Sequence, residues 1–326
     1  MKTGNNKDVV EIIKQYQKIV IFHHIRPDGD CLGSQSGLKQ LILDNFQDKT
    51  VYAVGDTKNS YWFMNIELDN FASPEELDGA LAIIVDANFK ERIEFSYLFE
   101  KVKFAKIIRI DHHPNDDDLG EAYRWVDSSF IACAEQISQL AIENNLAISK
   151  RTAEFLYLGI YTDSGRFLYA NTTARTHFLA AKLMETGFDF QRIHTHLNSK
   201  KISDLEFENY IFLHKKIYQN VIYYTLDLDE QKKLHKNPAQ ATRPNILANI
   251  ENFYIWVSLV QEEAKKWRVE FRSSGPNVRN VALKWGGGGH LQASGAILDS
   301  LDKIDSLIKD CQLECDLFIE AKNKTN

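Results

Sequence analysis

The chain has little cysteine, no long apolar run and no excess of positive charge, and each shortage excludes a class of protein. Four cysteines in 326 residues (Cys31, Cys133, Cys311 and Cys315) are too few and too scattered for a disulfide framework, which points to a reducing cytoplasm. Cys311 and Cys315 stand one helical turn apart with no second Cys/His pair nearby, so they do not make a zinc site. No apolar stretch follows a basic start, and none reaches membrane-spanning length. A net charge of −6 argues against broad binding to long nucleic acid and leaves room for small anionic substrates in a locally basic cleft. No internal repeat or low-complexity tract is evident. What remains is an ordinary globular composition, 44% hydrophobic and 26% charged, in a chain long enough for two domains, each with its own core.

The stretch 21–37 reads I-F-H-H-I-R-P-D-G-D-C-L-G-S-Q-S-G and places His24, Asp28 and Asp30 within seven residues. Like charges this close need a cation or solvent to offset them. Oxygen ligands beside an imidazole suit Mn²⁺, Zn²⁺ or Fe²⁺. Pro27 disfavours helix at Arg26 and Gly29 permits a sharp turn, so a helix is expected from Cys31 to Asn45, burying Leu38, Leu41 and Ile42. Its N-terminus would suit an anion such as phosphate. Taken alone, the stretch also reads as an ordinary polar loop.

Strands are expected at 18–24, 50–54, 81–86 and 106–111, and helices at 132–144 and 150–161. This alternation argues for an α/β fold with a parallel sheet, and the apolar run L-A-I-I-V-D for a strand buried on both faces. Three strands end in ligand types: His24 with Asp28 and Asp30, then Asp86, then Asp111-His112-His113. Ligands gather at the carboxyl edge of such sheets. With Asp163, in Y-T-D-S-G-R-F, the set is large enough for two ions sharing a carboxylate. The triplet Asp116–Asp118 reads as a solvated loop, and Tyr61-Trp62-Phe63 as core packing.

Beyond residue 195 the texture changes. A capping-box pattern at 203–206 would start a helix, strands are expected at 221–226, 253–261 and 267–272, and a last helix at 301–322 on the spacing of Ile304, Leu307, Ile308 and Leu313. The run Trp285-Gly286-Gly287-Gly288-Gly289-His290 suits backbone N–H groups closing on an anion. Lys265, Lys266, Arg268, Arg272, Arg279 and Lys284, against Glu270 alone, make a basic neighbourhood from 265 to 284. The domains are expected at 1–195 and 219–326, with a linker helix over 196–218.

The stretches H-H-I-R-P-D-G-D-C-L-G-S, I-I-V-D-A-N-F-K-E-R, D-H-H-P, G-I-Y-T-D-S-G-R-F and G-G-G-G-H-L-Q-A-S-G, in this order, resemble the Asp-His-His (DHH) phosphoesterases with a glycine-rich C-terminal associated (DHHA1) domain. Nearer still are the bacterial oligoribonucleases that also dephosphorylate 3′-phosphoadenosine 5′-phosphate, and cytosolic di-adenylate phosphodiesterases. The resemblance implies a parallel-sheet domain, a smaller α/β domain with a mixed sheet, and a cleft between them. It implies two Mn²⁺ ions, with Mg²⁺ or Co²⁺ as substitutes. His24, Asp28 and Asp86 would hold one ion. Asp30, Asp86, His112 and Asp163 would hold the other. His113 would face the scissile phosphate, with Asp86 as the other catalytic residue, and Asp111 would orient His112 from behind. Arg272, Ser273, Gly287, Gly288, Gly289 and His290 would grip the far end of the substrate. The implied activity is hydrolysis of very short oligoribonucleotides or dinucleotides such as pApA to 5′-mononucleotides, with a homodimer admissible. The stretch Ile131-Ala132-Cys133-Ala134 departs from the family's small Ser/Thr-rich segment before Glu135. An inorganic pyrophosphatase would share the first-domain motifs without G-G-G-G-H, and a non-catalytic nucleotide-binding module would have no need of every acid.

Overall fold

Strands β1 (Lys2–Thr3), β2 (Lys18–Phe22), β3 (Thr50–Val54), β4 (Leu81–Val85), β5 (Lys106–Asp111) and β6 (Ala122–Asp127) form one sheet in the order β1-β6-β5-β4-β2-β3. All neighbours are parallel except β1, which pairs antiparallel with β6. These are the coordinates of a computed structural model, which describes residues 2–113 and 116–325; Pro114 of the D-H-H-P motif lies outside them. The chain separates into two compact units, one ending at Ser199 and one beginning at Lys200.

Alternation along the strands covers both faces of this sheet. Ile19, Ile21, Leu81, Ile83, Ile108 and Ile110 share a core with Leu38, Leu41, Ile137, Leu140, Leu156 and Ile160 from the helices Gly29–Asn45, Cys133–Glu143 and Lys150–Asp163. Val20, Phe22, Ala82 and Ile84 pack the other face with Leu77, Ile93 and Leu98. The apolar run of β4 is therefore buried at every residue. Strand β2 stops at Phe22, short of the expected residue 24, and His24 instead makes an isolated bridge to Ile93. The following helix starts at Gly29, two residues before the expected Cys31, because Asp28 caps it.

That helix lies close against Lys150–Asp163. A Cβ on Gly33 would stand 2.5 Å from the Phe155 carbonyl oxygen, and one on Gly159 would meet Ala134 Cβ at 2.5 Å and Asp30 Oδ1 at 2.8 Å. Gly29, Gly33 and Gly37 recur every four residues and so share the face that meets the second helix.

The second unit has its own mixed sheet, in the order β11-β12-β10-β9-β8-β7. Its strands are β7 (Lys216–Tyr218), β8 (Val221–Leu226), β9 (Ile255–Glu263), β10 (Lys266–Ser273), β11 (Gly288–Gly289) and β12 (Ala293–Leu298). β8 and β9 are parallel; the other pairs are antiparallel. The helix Ile304–Thr325 covers one face with Leu307, Ile308, Cys311 and Cys315. Leu313, expected on that face, is 56% exposed. The stretch expected to be a linker helix divides between the end of Phe190–Asn198, the helix Ile202–His214 and β7. Phe207 and Ile211 pack with Ile222, Tyr224 and Trp256, which makes Ile202–His214 part of the second unit's core. The expected capping box at 203–206 is not formed, since Lys201 is the N-cap and makes no side-chain cap bond.

Candidate metal centre

Six of the residues singled out in the sequence converge at the carboxyl edge of β2, β4 and β5. His24 Nε2 stands 3.4 Å from Asp28 Oδ2 and 3.5 Å from Asp86 Oδ2. His112 Nε2 stands 3.3 Å from Asp86 Oδ1, 3.5 Å from Asp163 Oδ2 and 3.8 Å from Asp30 Oδ2. The two oxygens of Asp86 therefore face two different donor groups. Asp86 is almost fully buried and holds φ 56°, a left-handed conformation that Asp tolerates better than most residues.

Each donor is held from behind. His24 Nδ1 lies 2.7 Å from the Ile25 carbonyl oxygen, which can only accept, so the proton sits on Nδ1 and Nε2 keeps its lone pair when the ring is neutral. Asp28 Oδ1 accepts from the Asp30 and Cys31 amides at 3.1 and 3.0 Å, leaving Oδ2 toward His24. The helix N-terminus expected to suit a phosphate is thus already occupied by the Asp28 carboxylate. Asp30 is fully buried and takes the N–H groups of Cys133 (2.7 Å) and Ala134 (2.9 Å), so it serves the helix Cys133–Glu143 in place of a side-chain cap from Ala132. That is the work done here by the departing stretch before Glu135. Asp163 is the last residue of its helix.

The arrangement fits divalent cations. Asp86 Oδ1 and His112 Nε2 are buried with no hydrogen-bond partner among the described residues, which is costly unless something else satisfies them. His24 with Asp28, and Asp30 with His112 and Asp163, each bring ligand atoms within 4.8 Å of one another. Carboxylate oxygens with imidazole nitrogens are a donor set for first-row divalent metals.

Without a cation the cluster balances charge by holding protons. Burial pushes Asp30 well above the ordinary carboxylate range, and the Asp86 and Asp163 charges add to it. Burial and Asp86 push Asp163 up to about 7. Burial opposes charge on His112, but Asp86 and Asp30 outweigh it and raise the ring to about 9. Burial likewise opposes charge on His24, and Asp28 with Asp86 outweighs it. Asp86 goes the other way: burial favours its neutral form, yet the His112, His113 and His24 rings close beside it hold it well below its ordinary value. Cation binding would have to displace these protons, so it should strengthen as pH rises.

Asp111 does not orient His112, as the sequence reading expects. Its Oδ1 accepts from His113, at 2.9 Å from ring Nδ1 and 3.0 Å from the backbone N–H. The strand ends at Asp111, and a short acid at that point reaches the amide two residues on. Oδ2 accepts from the buried Arg109. Arg109 was missed, although a cation inside the apolar strand K-I-I-R-I-D must have buried acid partners. The loop expected to be solvated supplies one: Asp117 accepts from Arg109 Nη1 at 2.9 Å and binds Arg124 through both oxygens. Its side chain is 3% exposed, and although burial opposes its charge, Arg124, the Leu119 amide and Arg109 draw its pKa down to about 2. His113 keeps its ring partly open to solvent and is raised to about 10, burial being outweighed by Asp111 and Asp86. Of the expected packing triplet, Phe63 is buried and Trp62 is 65% exposed.

In the second unit, helix closure and close packing account for part of the glycine run. Gly286 and Gly287 donate to the carbonyls of Leu283 and Ala282, closing the helix Val278–Lys284, so those two amides do not await an anion. Gly288 and Gly289 form β11 against β12, and a Cβ on Gly289 would lie 2.6 Å from the Ala293 carbonyl oxygen. The basic neighbourhood is also largely paired. Lys266 and Arg268 meet Glu262, Arg272 meets Glu270, and Lys284 meets Asp310; three of these acids, counting Glu263 beside Lys266, lie outside the stretch first considered. The Ser273 hydroxyl donates to the Pro276 carbonyl at 2.6 Å, while His290 is exposed. Among the described residues, no helix is long and apolar enough to cross a membrane.

Residues 18–160 match the model of the DHH family, N-terminal domain, and residues 219–315 that of the DHHA1 domain. The chain is 48% identical over 313 residues to a "Bifunctional oligoribonuclease and PAP phosphatase NrnA" of Mycoplasma pneumoniae, covering 95% of this chain and 97% of that protein. It is 33% identical over 315 residues to a protein of the same description from Bacillus subtilis, covering 94% and 98%. Among solved structures, an exopolyphosphatase-related protein from Bacteroides fragilis shares the fold with a TM-score of 0.76 at 23% identity, over 96% of each chain.

Proposed function

The chain belongs to the DHH family, and on that premise we propose that it is a divalent-metal-dependent phosphoric ester hydrolase. Its substrates on this reading are very short oligoribonucleotides and dinucleotides such as pApA, and 3′-phosphoadenosine 5′-phosphate. The Mycoplasma pneumoniae and Bacillus subtilis relatives, whose names pair an oligoribonuclease with a PAP phosphatase, support this choice. The observation that carries it is Asp86, one carboxylate shared between the His24–Asp28 group and the Asp30–His112–Asp163 group.

His24, Asp28 and Asp86 are proposed to hold one manganese ion, and Asp30, Asp86, His112 and Asp163 a second, with Mg²⁺ or Co²⁺ as substitutes. Cations bound there would neutralise phosphoryl charge and make water a stronger nucleophile. Hydrolysis of a 3′,5′ diester joins the water oxygen to phosphorus and breaks the bond to the 3′ oxygen, which leaves with a proton. His113 donates Nδ1–H to Asp111, and with the ring protonated on both nitrogens it can also offer Nε2–H to the phosphoryl group. In the second unit, Arg272, Ser273, the Gly287–Gly289 run and His290 are proposed for recognition. Arg272 and the exposed His290 carry the polar part of that role, since the Ser273 hydroxyl and the Gly287 amide already have partners.

One assay tests the reading. Purified protein with Mn²⁺ receives RNA di- and trinucleotides, pApA, 3′-phosphoadenosine 5′-phosphate and pyrophosphate in parallel, and products are resolved by chromatography. The expected result is 5′-mononucleotides from the RNA and from pApA, abolished by chelator. Orthophosphate from pyrophosphate alone, or substrate bound and recovered intact, overturns it.

A further inference from the structure

A buried chain of charges runs from the surface to His113. Arg124 grips Asp117 with Nε and Nη2, each at 2.7 Å; Asp117 Oδ2 takes Arg109 Nη1 at 2.9 Å; Arg109 Nε reaches Asp111 Oδ2 at 3.0 Å; and Asp111 Oδ1 takes His113 Nδ1 at 2.9 Å. Arg109 also donates from Nη2 to the His113 carbonyl at 3.2 Å, so it holds both ends of the turn that carries the ring. The side chains of Arg109, Asp111 and Asp117 are at most 3% exposed. Two acids and a guanidinium without solvent are costly to bury, and removing one partner leaves the others uncompensated. Hydrophobic residues would close the sheet edge more cheaply, so a purpose beyond stability is the better account.

We propose that Arg109 and Asp117 are positioning residues for phosphoester hydrolysis, a clamp that fixes the rotation of the Asp111 carboxylate and through it the direction of the His113 ring. The inference rests on the proposed role of His113. A planar guanidinium spanning two carboxylates permits one arrangement of both. Asp111 is then able to aim His113 Nδ1–H along one line, which sets where Nε2 points. A looser carboxylate would let the ring turn away from the phosphoryl group, and positioning errors of about 1 Å can lower rates on the order of 10²-fold.

The test uses Asp117→Asn and Arg109→Lys in the full chain. Both should lower kcat for pApA at least 10-fold, with KM and the calorimetric Mn²⁺ affinity changed less than 3-fold. In the His113→Gln background Asp117→Asn should lower kcat no further, because the clamp acts through that ring. A second readout needs no cation and no substrate. In metal-free protein with ¹⁵N-labelled histidine, the hydrogen-bonded Nδ1–H proton of His113 should be seen in the wild type and be shifted or broadened away in both variants. If either variant folds poorly, Arg124→Gln at the half-buried outer end of the chain is read instead, with the same signs and a smaller loss. An unchanged Nδ1–H signal, or full additivity of Asp117→Asn with His113→Gln, overturns the clamp. If His113→Gln alone leaves turnover intact, the assigned role of His113 fails while the imaging of the clamp by the Nδ1–H signal still stands.

Discussion

At the scale of single residues the centre is a set of acids that cannot all be charged without help. Asp86 is where this is sharpest, since its two oxygens serve two groups. Asp86→Asn keeps the left-handed backbone and the shape while removing the charge, so it should abolish measurable Mn²⁺ binding by calorimetry and turnover together, with the circular-dichroism spectrum unchanged. His113→Gln should separate the two: kcat falls on the order of 10²–10⁴-fold while Mn²⁺ affinity is kept, because the ring works on the substrate side. The convergence of His24, Asp28, Asp30, Asp86, His112 and Asp163 was legible in the sequence because each follows an apolar strand or closes a helix at one edge of a parallel sheet. Which acid serves which histidine was not, since Asp111 turns toward His113 by a local backbone bond that spacing does not reveal. The Asp117 partnership was equally hidden: a run of three acids looks solvated until the buried Arg109 is placed beside it.

At the scale of elements the crossing of Gly29–Asn45 over Lys150–Asp163 decides whether Asp30 and Asp163 share a site. Gly33 has the Phe155 carbonyl against it, a backbone atom that cannot swing aside. Gly33→Ala should therefore destabilise the protein by about 1–3 kcal/mol. It should also weaken Mn²⁺ binding, read by urea unfolding and calorimetry on the same sample. A change in stability with no change in affinity would mean that the crossing does not position the acids. The four-residue recurrence of Gly29, Gly33 and Gly37 was visible in the sequence, but a glycine spacing alone does not name the surface it meets. The glycine run at 286–289 shows the converse: an anion grip was the expectation, and close packing on β12 with closure of a helix end accounts for much of it. Strands β4 and β5 were read almost to the residue, because the continuous apolar run of β4 and the short apolar stretch of β5, ending at Asp86 and Asp111, leave little choice. The two-residue pairings β1 and β11 carry no such pattern.

At the scale of the molecule, the response to acid is set by groups whose proton affinity changes on folding. His23 is fully buried, its Nε2 has no hydrogen-bond partner among the described residues, and burial lowers its pKa from 6.5 to about 4. The folded chain keeps this ring neutral while the unfolded chain protonates it, so its stabilising contribution is whole above pH 6.5 and is lost as pH falls toward 4. Between pH 7 and pH 5 that amounts to about 2 kcal/mol. His24, His112 and His113 act with the opposite sign in metal-free protein, so the difference between wild type and His23→Gln is the quantity to follow. Urea unfolding at the two pH values should show the variant losing less stability than the wild type by that amount. The dispersal of the ligands has one more consequence, in the order in which the ribosome delivers them. Asp28 and Asp30 emerge early, but Asp30 has neither Cys133 nor Ala134 to hold it, and its group stays open until Asp163 leaves the exit tunnel. A nascent chain that ends before the helix Lys150–Asp163 should trap no ion with the finished protein's grip, whatever the cation supply around it.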